Sequence, residues 1–271
     1  YEEGEIFVSY TEDRGDDKTS TSIARGFIEN DSFSEIENIF QSGSSWNNIH
    51  WGSRLMFKDG LLYASIGERG YGSIAQDPTS YFGKMIRINK DGSAPKDNPY
   101  SMNEDWLPEI YQIGLRNPQG IMLYPNDSEI YITNHGPRGG DFFGKVEAGT
   151  NYGWADVAWG GIDYDGSIIG DGSAWKEGLL KPIYTWVPSI AVSDMTFYGG
   201  DLFPELKNKI LVTSLKAQRL ISLEFDGKKA RNETTLFEKV GRVRDVETNS
   251  AGEIYVIIDN EDSGIWKLVN K

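Results

Sequence analysis

The 271-residue sequence contains no cysteine, so it can form neither a disulfide nor a thiolate metal site. It is also short of positive charge, because 27 lysines and arginines stand against 41 aspartates and glutamates, a formal net charge of −14. That balance disfavours nucleic acid and anionic membrane surfaces as partners. No apolar run approaches the length that crosses a bilayer, and the first residues lack the basic-then-apolar pattern of a signal peptide. We therefore expect no membrane span, and the absence of cysteine fits either redox compartment.

Glycine and aromatic residues are abundant instead, with 31 Gly, 8 Trp, 14 Tyr and 12 Phe. This composition favours many short strands joined by tight turns over helices. With 38 % hydrophobic residues, the chain is long enough to bury a full core. The composition therefore predicts a single all-β domain that spans residues 1–271.

One pattern recurs along the chain: a turn residue, a short apolar strand usually centred on an aromatic residue, and then an abrupt polar tip. The five copies are centred on Phe7, Tyr63, Tyr131, Leu211 and Tyr255. Four of them have a companion strand just upstream, at residues 54–57, 121–124, 195–198 and 244–247, and so read as hairpins. Units of about four short strands at this spacing predict a β-propeller of four-stranded antiparallel blades. A large β-sandwich, the alternative, would not need the polar tips to recur in phase.

The outermost two repeats are incomplete. The first copy lacks its upstream companion, the last has three recognisable strands, and both missing strands would belong to a segment ahead of residue 1. We expect the chain to close as five blades or to leave a gap. An open ring would expose two strand edges, and a second subunit should then cover them.

The polar tips of the hairpins predict a binding site. The residues before the first strand of a hairpin and those after its second strand lie at the same end, which in a propeller surrounds the central channel. The tips hold both histidines, His50 and His135, and a set of cations: Arg116, Lys216, Arg242 and Arg244. Such a set in an acidic protein predicts a site for a small, dense anion that carries several carboxylates.

Several motifs, in the same order along the chain, resemble the PQQ-dependent soluble aldose sugar dehydrogenases, the glucose/sorbosone dehydrogenases. They occupy residues 83–88, 91–99, 114–120, 135–141, 151–154 and 241–246. The resemblance implies a six-bladed propeller, usually exported to the periplasm or secreted, that oxidises the anomeric hydroxyl of aldoses to lactones. It also implies the cofactor PQQ, whose three carboxylates match the basic tips, together with Ca²⁺.

The resemblance further implies roles for individual residues. His50 stands where the family keeps its general base, and a neutral imidazole suits that task. Arg116 and Asn117 match residues that hold PQQ, and Arg116 would polarise the quinone oxygen as negative charge develops. The residues that bind the carboxylates of PQQ in the family are matched by Lys216, Arg242 and Arg244. Two backbone carbonyl ligands of Ca²⁺ are matched by those of Gly136 and Pro137.

Each of these residues also has an ordinary structural interpretation. A loop histidine commonly hydrogen-bonds to backbone, an arginine commonly pairs with a carboxylate, and Gly-Pro is commonly a turn. The chain departs from the family pattern as well. Phe142 stands where many members have a glutamate that helps bind a second calcium, and Ile49 precedes His50 where some members have a carboxylate. About one N-terminal propeller unit, which in the family adds cofactor contacts, has no counterpart in this sequence.

Three functions stay open at this stage. The first is a quinoprotein aldose dehydrogenase, and the second is a catalytically impaired propeller that binds sugar or another partner. The third is a calcium-dependent lactonase or hydrolase, which would need several carboxylates converging on the metal. The tips offer mainly Glu68, Asp141 and Asp259 for that purpose. The sequence identifies neither the sugar nor the electron acceptor.

Overall fold

The computed structural model describes residues 4–261 and 263–269, which contain eighteen β-strands and two short 3-10 helices. The described strands form five antiparallel sheets, three of four strands and two of three. The chain divides into two compact units. The first unit runs up to Pro118 and includes Glu147–Asp156 and Glu177–Leu180. The second comprises Gln119–Val146, Val157–Lys176 and the chain from Lys181 onward.

The first unit holds two sheets. Three strands form one of them, in the order β1 (Ile6–Asp13), β2 (Thr19–Glu29) and β3 (Ser32–Gln41). Four strands form the other, in the order β4 (Gly52–Lys58), β5 (Leu61–Ile66), β6 (Lys84–Ile88) and β7 (Ile110–Gln112). A 3-10 helix, Gly72–Gln76, lies between β5 and β6.

The second unit holds three sheets. One is β8 (Pro118–Tyr124), β9 (Glu129–Asn134), β10 (Asp141–Lys145) and β11 (Tyr184–Trp186). The next is β12 (Val192–Tyr198), β13 (Lys209–Ser214), β14 (Arg219–Phe225) and β15 (Ala230–Glu238), with a 3-10 helix at Pro204–Leu206 between β12 and β13. The third is β16 (Arg242–Thr248), β17 (Ile254–Asp259) and β18 (Gly264–Lys267).

The four predicted hairpins are confirmed as β4–β5, β8–β9, β12–β13 and β16–β17. Their turns follow from local chemistry. Asp59 and Gly60 both have positive φ, 54° and 74°, as the two-residue turn between β4 and β5 requires. Between β8 and β9 the Ser128 N–H donates to the Tyr124 carbonyl, and the Asp127 carboxylate accepts the Glu129 N–H, both at 2.9 Å.

The hydrophobic core of the first unit joins its two sheets. Phe7 and Ile23 of the first sheet pack with Leu62 and Ile86 of the second, and all four are buried. In the second unit, one cluster includes Tyr131 and Phe225, and another includes Leu211 and Val256. Residues at four of the five repeat centres are buried, three of them on strands that are covered on both faces, and Tyr255 is partly exposed. Five successive small antiparallel sheets of three or four strands each are the blades of a propeller and not the two large sheets of a sandwich, and the predicted all-β propeller class is confirmed.

The first and last sheets have three strands each among the described residues. Within the described part of the chain, β1 pairs only with β2 and β18 only with β17. Closure of the ring and a single domain over residues 1–271 stay predictions, and residues 1–3, 262, 270 and 271 of that range lie outside the described residues. No helix formed by the described residues is long and apolar enough to cross a membrane.

Candidate functional site

His50 and Glu68 form the centre of the site in the first unit. His50 precedes β4 and Glu68 follows β5, so the hairpin brings them to the same end. His50 Nδ1 hydrogen-bonds to Glu68 Oε1, and the other carboxylate oxygen accepts the Gly72 N–H at 2.6 Å. Glu68 is only 1 % exposed. Burial alone would raise its pKa, but the hydrogen bond and charge of His50 and the Gly72 N–H together hold the pKa of Glu68 below its ordinary value.

The ionised Glu68 decides which nitrogen of His50 carries the proton. A carboxylate only accepts hydrogen bonds, so Nδ1 must be the donor in this pair. The neutral ring then presents Nε2 as its acceptor atom. His50 is therefore held in the tautomer that a general base needs.

Replacement of Glu68 by Gln is expected to lower the free energy of unfolding at pH 7 by about 1–3 kcal/mol, because the single oxygen of a buried amide cannot accept from both the Gly72 N–H and His50 Nδ1–H. Since the folded-state pKa of Glu68 is depressed, its stabilising contribution is present above its ordinary pKa of 4.5 and is lost as pH falls through the folded value. Urea unfolding at pH 7 and on the acid side of pH 4.5 should therefore show a smaller difference between the two proteins in acid. An equal difference at both pH values would contradict this account.

Arg116 and Asn117 lie beside this pair. The Arg116 carbonyl accepts the Glu68 N–H at 2.9 Å. The Arg116 guanidinium lies over the Trp154 ring, 5.3 Å from its centroid. Asn117 Oδ1 accepts the Gly52 N–H at 3.2 Å, at the start of β4. Both residues are almost fully buried, and the Arg116 charge also lowers the pKa of Glu68. The structure thus brings together four polar residues of the first unit: His50, Glu68, Arg116 and Asn117.

Arg242 and Arg244 lie at the start of β16 in the second unit. Both reach one oxygen of Asp259, with Arg244 Nη2 at 2.6 Å and Arg242 Nε at 3.5 Å from Oδ2. Arg244 Nη1 also donates to Gln119 Oε1 at 3.3 Å. The hydrogen bond from Arg244 lowers the pKa of Asp259. The role of Asp259 as the partner of both arginines was not predicted, although the hairpin pairs it with Arg242 in register.

Lys216 lies in the turn after β13. It is exposed, and its backbone N–H donates to the Ile190 carbonyl at 3.1 Å. The hydroxyl of Ser214, the last residue of β13, donates to the same carbonyl at 2.6 Å, so two hydrogen bonds hold the start of the turn. That Lys216 shares a pocket with the arginines and with Arg116 stays a prediction.

The loop after β9 carries the predicted Ca²⁺ ligands. Gly136 and Pro137 are buried, and Asp141 Oδ1 accepts the Gly136 N–H at 2.9 Å. Asp141 Oδ2 accepts the Val192 N–H at 3.1 Å, and burial raises the pKa of this carboxyl group. A Cβ on Gly136 would overlap the backbone of the same loop, so only glycine fits there. His135 Nε2 donates to the Val192 carbonyl, which is the ordinary structural contact of a loop histidine.

Three acidic side chains come together elsewhere in the second unit. Among the described residues, Asp194, Asp245 and Glu247 form the one group of at least three candidate ligands whose oxygens lie within 4.8 Å of one another. They lie on β12 and β16, and the Val246 N–H approaches Asp194 Oδ2 at 3.4 Å. This group was not predicted from the sequence, and its members differ from the predicted Ca²⁺ ligands Gly136 and Pro137.

Blades of antiparallel strands with polar residues at the hairpin ends define a β-propeller with a site built on its hairpin loops. The chain belongs to the glucose/sorbosone dehydrogenase family, whose model matches residues 1–267. It is 33 % identical over 269 residues to the aldose sugar dehydrogenase YliI of Escherichia coli K12, a match that covers 97 % of this chain and 72 % of that protein. This membership places the chain among the sugar-dehydrogenase oxidoreductases.

Solved structures support the same fold. A crystal structure of glucose dehydrogenase matches with a TM-score of 0.94 and 30 % identity, over 99 % of this chain and 79 % of that one. The PQQ-bound form of aldose sugar dehydrogenase from Streptomyces coelicolor matches with a TM-score of 0.74 and 21 % identity, over 93 % of this chain and 75 % of that one. At that identity the second match shows the fold alone.

Proposed function

We propose that this protein is a quinoprotein dehydrogenase that oxidises the anomeric hydroxyl of aldose sugars to lactones with PQQ and Ca²⁺. The observation that carries the proposal is the His50–Glu68 pair, held in the tautomer of a base beside the buried Arg116 and Asn117. Family membership supports the sugar substrate, and the Streptomyces coelicolor structure is of a PQQ-bound protein with this fold. By the same resemblance we propose a periplasmic or secreted location.

The donor chemistry fits a ligand with several carboxylates. Arg242 and Arg244 already hold one carboxylate oxygen, that of Asp259, so this pair is suited to such a group. Together with Lys216 they would hold the carboxylates of PQQ. Arg116 and Asn117 would hold its quinone oxygens, and the carbonyls of Gly136 and Pro137 are the hard oxygen ligands that Ca²⁺ takes. When bound, PQQ supplies the two-electron acceptor for the hydride of the sugar.

The chain's own residues perform the acid–base part of the reaction. His50 Nε2 accepts the proton of the anomeric hydroxyl, which needs a neutral acceptor. Glu68 fixes the ring through Nδ1 and stabilises the imidazolium that forms. Arg116 provides a fixed, largely buried cation where negative charge develops, and such charges are strongest away from water.

The three acidic tips disfavour the lactonase alternative. Glu68 is bound to His50 and Gly72, Asp141 is bound to the Gly136 and Val192 N–H groups, and Asp259 is bound to the arginines. Glu68 and Asp259 are thus engaged inside their own hairpins, and Asp141 is bound by the loop after β9 and by the start of β12. A propeller that binds sugar without turning it over remains the second candidate, because it would use the same residues.

A titration with PQQ in the presence and absence of Ca²⁺ tests the proposal directly. We expect saturable absorbance changes and a rise in melting temperature that requires both ligands, because a ligand that binds only the folded state stabilises it. The control is the same titration after Arg116→Met, which removes the buried cation but keeps an apolar chain over Trp154. Binding of PQQ that ignores both Ca²⁺ and Arg116 would contradict the proposed site.

A further inference from the structure

Arg69 is the largest fully buried side chain among the described residues, with 0 % exposure. It directly follows Glu68. Its Nη2 donates to the Thr19 hydroxyl at 2.7 Å and to the Asn47 carbonyl, and its guanidinium lies over the Trp51 ring at 4.6 Å. Asn47 and Trp51 flank His50, so Arg69 contacts both sides of the segment that carries it.

The segment needs such contacts because its backbone is not in a relaxed conformation. His50 has a φ of 53°, in the left-handed region that non-glycine residues seldom adopt. Conformations of this kind persist only when the surroundings impose them. The loop of residues 47–51, which we call the His50 loop, precedes β4.

The Gly67-Glu68-Arg69 segment supplies the constraint. The Gly67 N–H donates to the Trp51 carbonyl at 3.1 Å, and a Cβ on Gly67 would overlap the His50 carbonyl. Glu68 holds the imidazole, and Arg69 holds the Asn47 carbonyl and the Trp51 ring. These three consecutive residues therefore fix the backbone of the His50 loop next to His50, the imidazole itself, and the two ends of the loop at Asn47 and Trp51.

Burial of Arg69 in this space is unfavourable for the free energy of folding. Its Nε and Nη1 have no hydrogen-bond partner within the described part of the chain, and burial lowers its pKa to about 10. A buried charge with incomplete hydrogen bonding opposes folding, so stability alone is a poor reason for this arginine. The planar guanidinium instead fixes the orientation of the groups around it, because it contacts a hydroxyl, a carbonyl and a ring face at once.

We propose that Arg69 is a positioning residue that sets the His50 loop, and thereby the place and direction of His50 Nε2, without touching the substrate. The proposal deepens the function proposed above and rests on it for the catalytic consequence. The positioning itself is a property of the protein without cofactor. It is therefore testable even if no sugar is oxidised.

The first test observes His50 in the cofactor-free protein. The chain has only two histidines, so a His135→Gln variant assigns every histidine side-chain signal in NMR spectra. We expect Arg69→Lys to lose or shift the signal of the Nδ1 proton shared with Glu68 and to leave His135 unchanged, because lysine cannot form the planar bridge. An unchanged His50 signal in a folded Arg69→Lys protein overturns the proposal.

The matched control is Arg87→Lys in β6. Arg87 is also buried, with 7 % exposure, and also lies over a ring, that of Tyr111, but it pairs with Asp97. Arg87→Lys should leave the His50 signal in place whatever it does to stability. Loss of the signal in this control as well would overturn the specific role of Arg69.

Thr19→Val keeps the proposal testable if Arg69→Lys fails to fold. The Thr19 hydroxyl accepts from Arg69 and donates to Asn48 Oδ1 at 3.3 Å, so its removal loosens the same loop while Arg69 stays in place. We expect a smaller shift of the His50 signal in the same direction. If Arg69→Lys cannot be studied and Thr19→Val leaves the His50 signal unchanged, the proposal is overturned.

In the loaded enzyme, Arg69→Lys is expected to lower kcat about 10-fold, since a small misplacement of a catalytic group costs up to about 100-fold. KM for the sugar should stay within about twofold, because Arg69 makes no substrate contact. A raised KM with unchanged kcat would refute a positioning role. If the wild type oxidises no sugar, the proposed function fails while the NMR result still decides the role of Arg69.

Discussion

His50→Gln should lower sugar-dependent turnover by at least roughly 100-fold, the lower end of what a positioned general base contributes. The variant should still fold and bind PQQ, because a glutamine amide can donate to Glu68 in place of Nδ1–H but cannot accept a proton at neutral pH. The measurement is steady-state reduction of a dye acceptor with an aldose, after loading with PQQ and Ca²⁺. Thermal shift with and without PQQ confirms that the variant remains folded and loaded.

His135→Gln is the matched control. His135 donates to the Val192 carbonyl, and a glutamine amide can make the same kind of contact. Turnover should therefore remain within a few fold of the wild type. If His135→Gln were the inactive variant and His50→Gln the active one, the assignment of the base would be wrong.

Arg244→Ala is expected to weaken PQQ binding by about 2 kcal/mol, the usual scale for a charge-assisted contact, or roughly 30-fold in Kd. The loss combines two effects. The arginine no longer binds a ligand carboxylate, and the negative charge of Asp259 loses the cation that partly neutralised it through the 2.6 Å contact. Absorbance titration with PQQ at fixed Ca²⁺ measures the change.

The control for this titration is Arg231→Ala on β15. Arg231 is an exposed arginine that pairs with Asp226 at 3.0 Å, so the same net charge is removed at a different place. Its Kd for PQQ should match the wild type. Equal Kd values for Arg244→Ala and the wild type would show that the carboxylate clamp lies elsewhere.

The hairpins were predictable from the sequence because their turns and strand centres are specified locally. Asp59-Gly60 fixes a two-residue turn, and residues such as Tyr63 and Tyr131 mark strands that are buried on both faces. The outer strands were harder to predict. β15 is a mixture of polar and apolar residues with most of its length exposed, and β10 begins within a glycine-rich motif that reads as a loop. Neither shows the alternation of polar and apolar residues that identifies a half-buried strand.

That the two polar tips of a hairpin meet at one end was predictable, but most of the hydrogen-bond partners there were not. A hairpin necessarily brings His50 and Glu68 to one end, whereas the hydrogen bond between them depends on the left-handed conformation of His50. The contact of both arginines with Asp259 lies beside a break in the β16–β17 register between Val243 and Asp245, which the sequence does not mark. Arg69 follows Glu68 in the same polar tip, and nothing in the sequence marks it as the fully buried side chain that it is. Side-chain direction and burial of this kind arise from packing between distant segments.

The most direct test of the proposed function is reduction of a dye acceptor by the purified protein after loading with PQQ and Ca²⁺, followed as increasing aldose is added. The proposal predicts saturable reduction that requires the sugar, PQQ and Ca²⁺ together and yields the lactone. It also predicts that His50→Gln abolishes most of this rate while leaving PQQ binding intact. If the loaded wild type shows no sugar-dependent reduction, the proposed dehydrogenase activity is wrong and a propeller that binds without turnover becomes the better account.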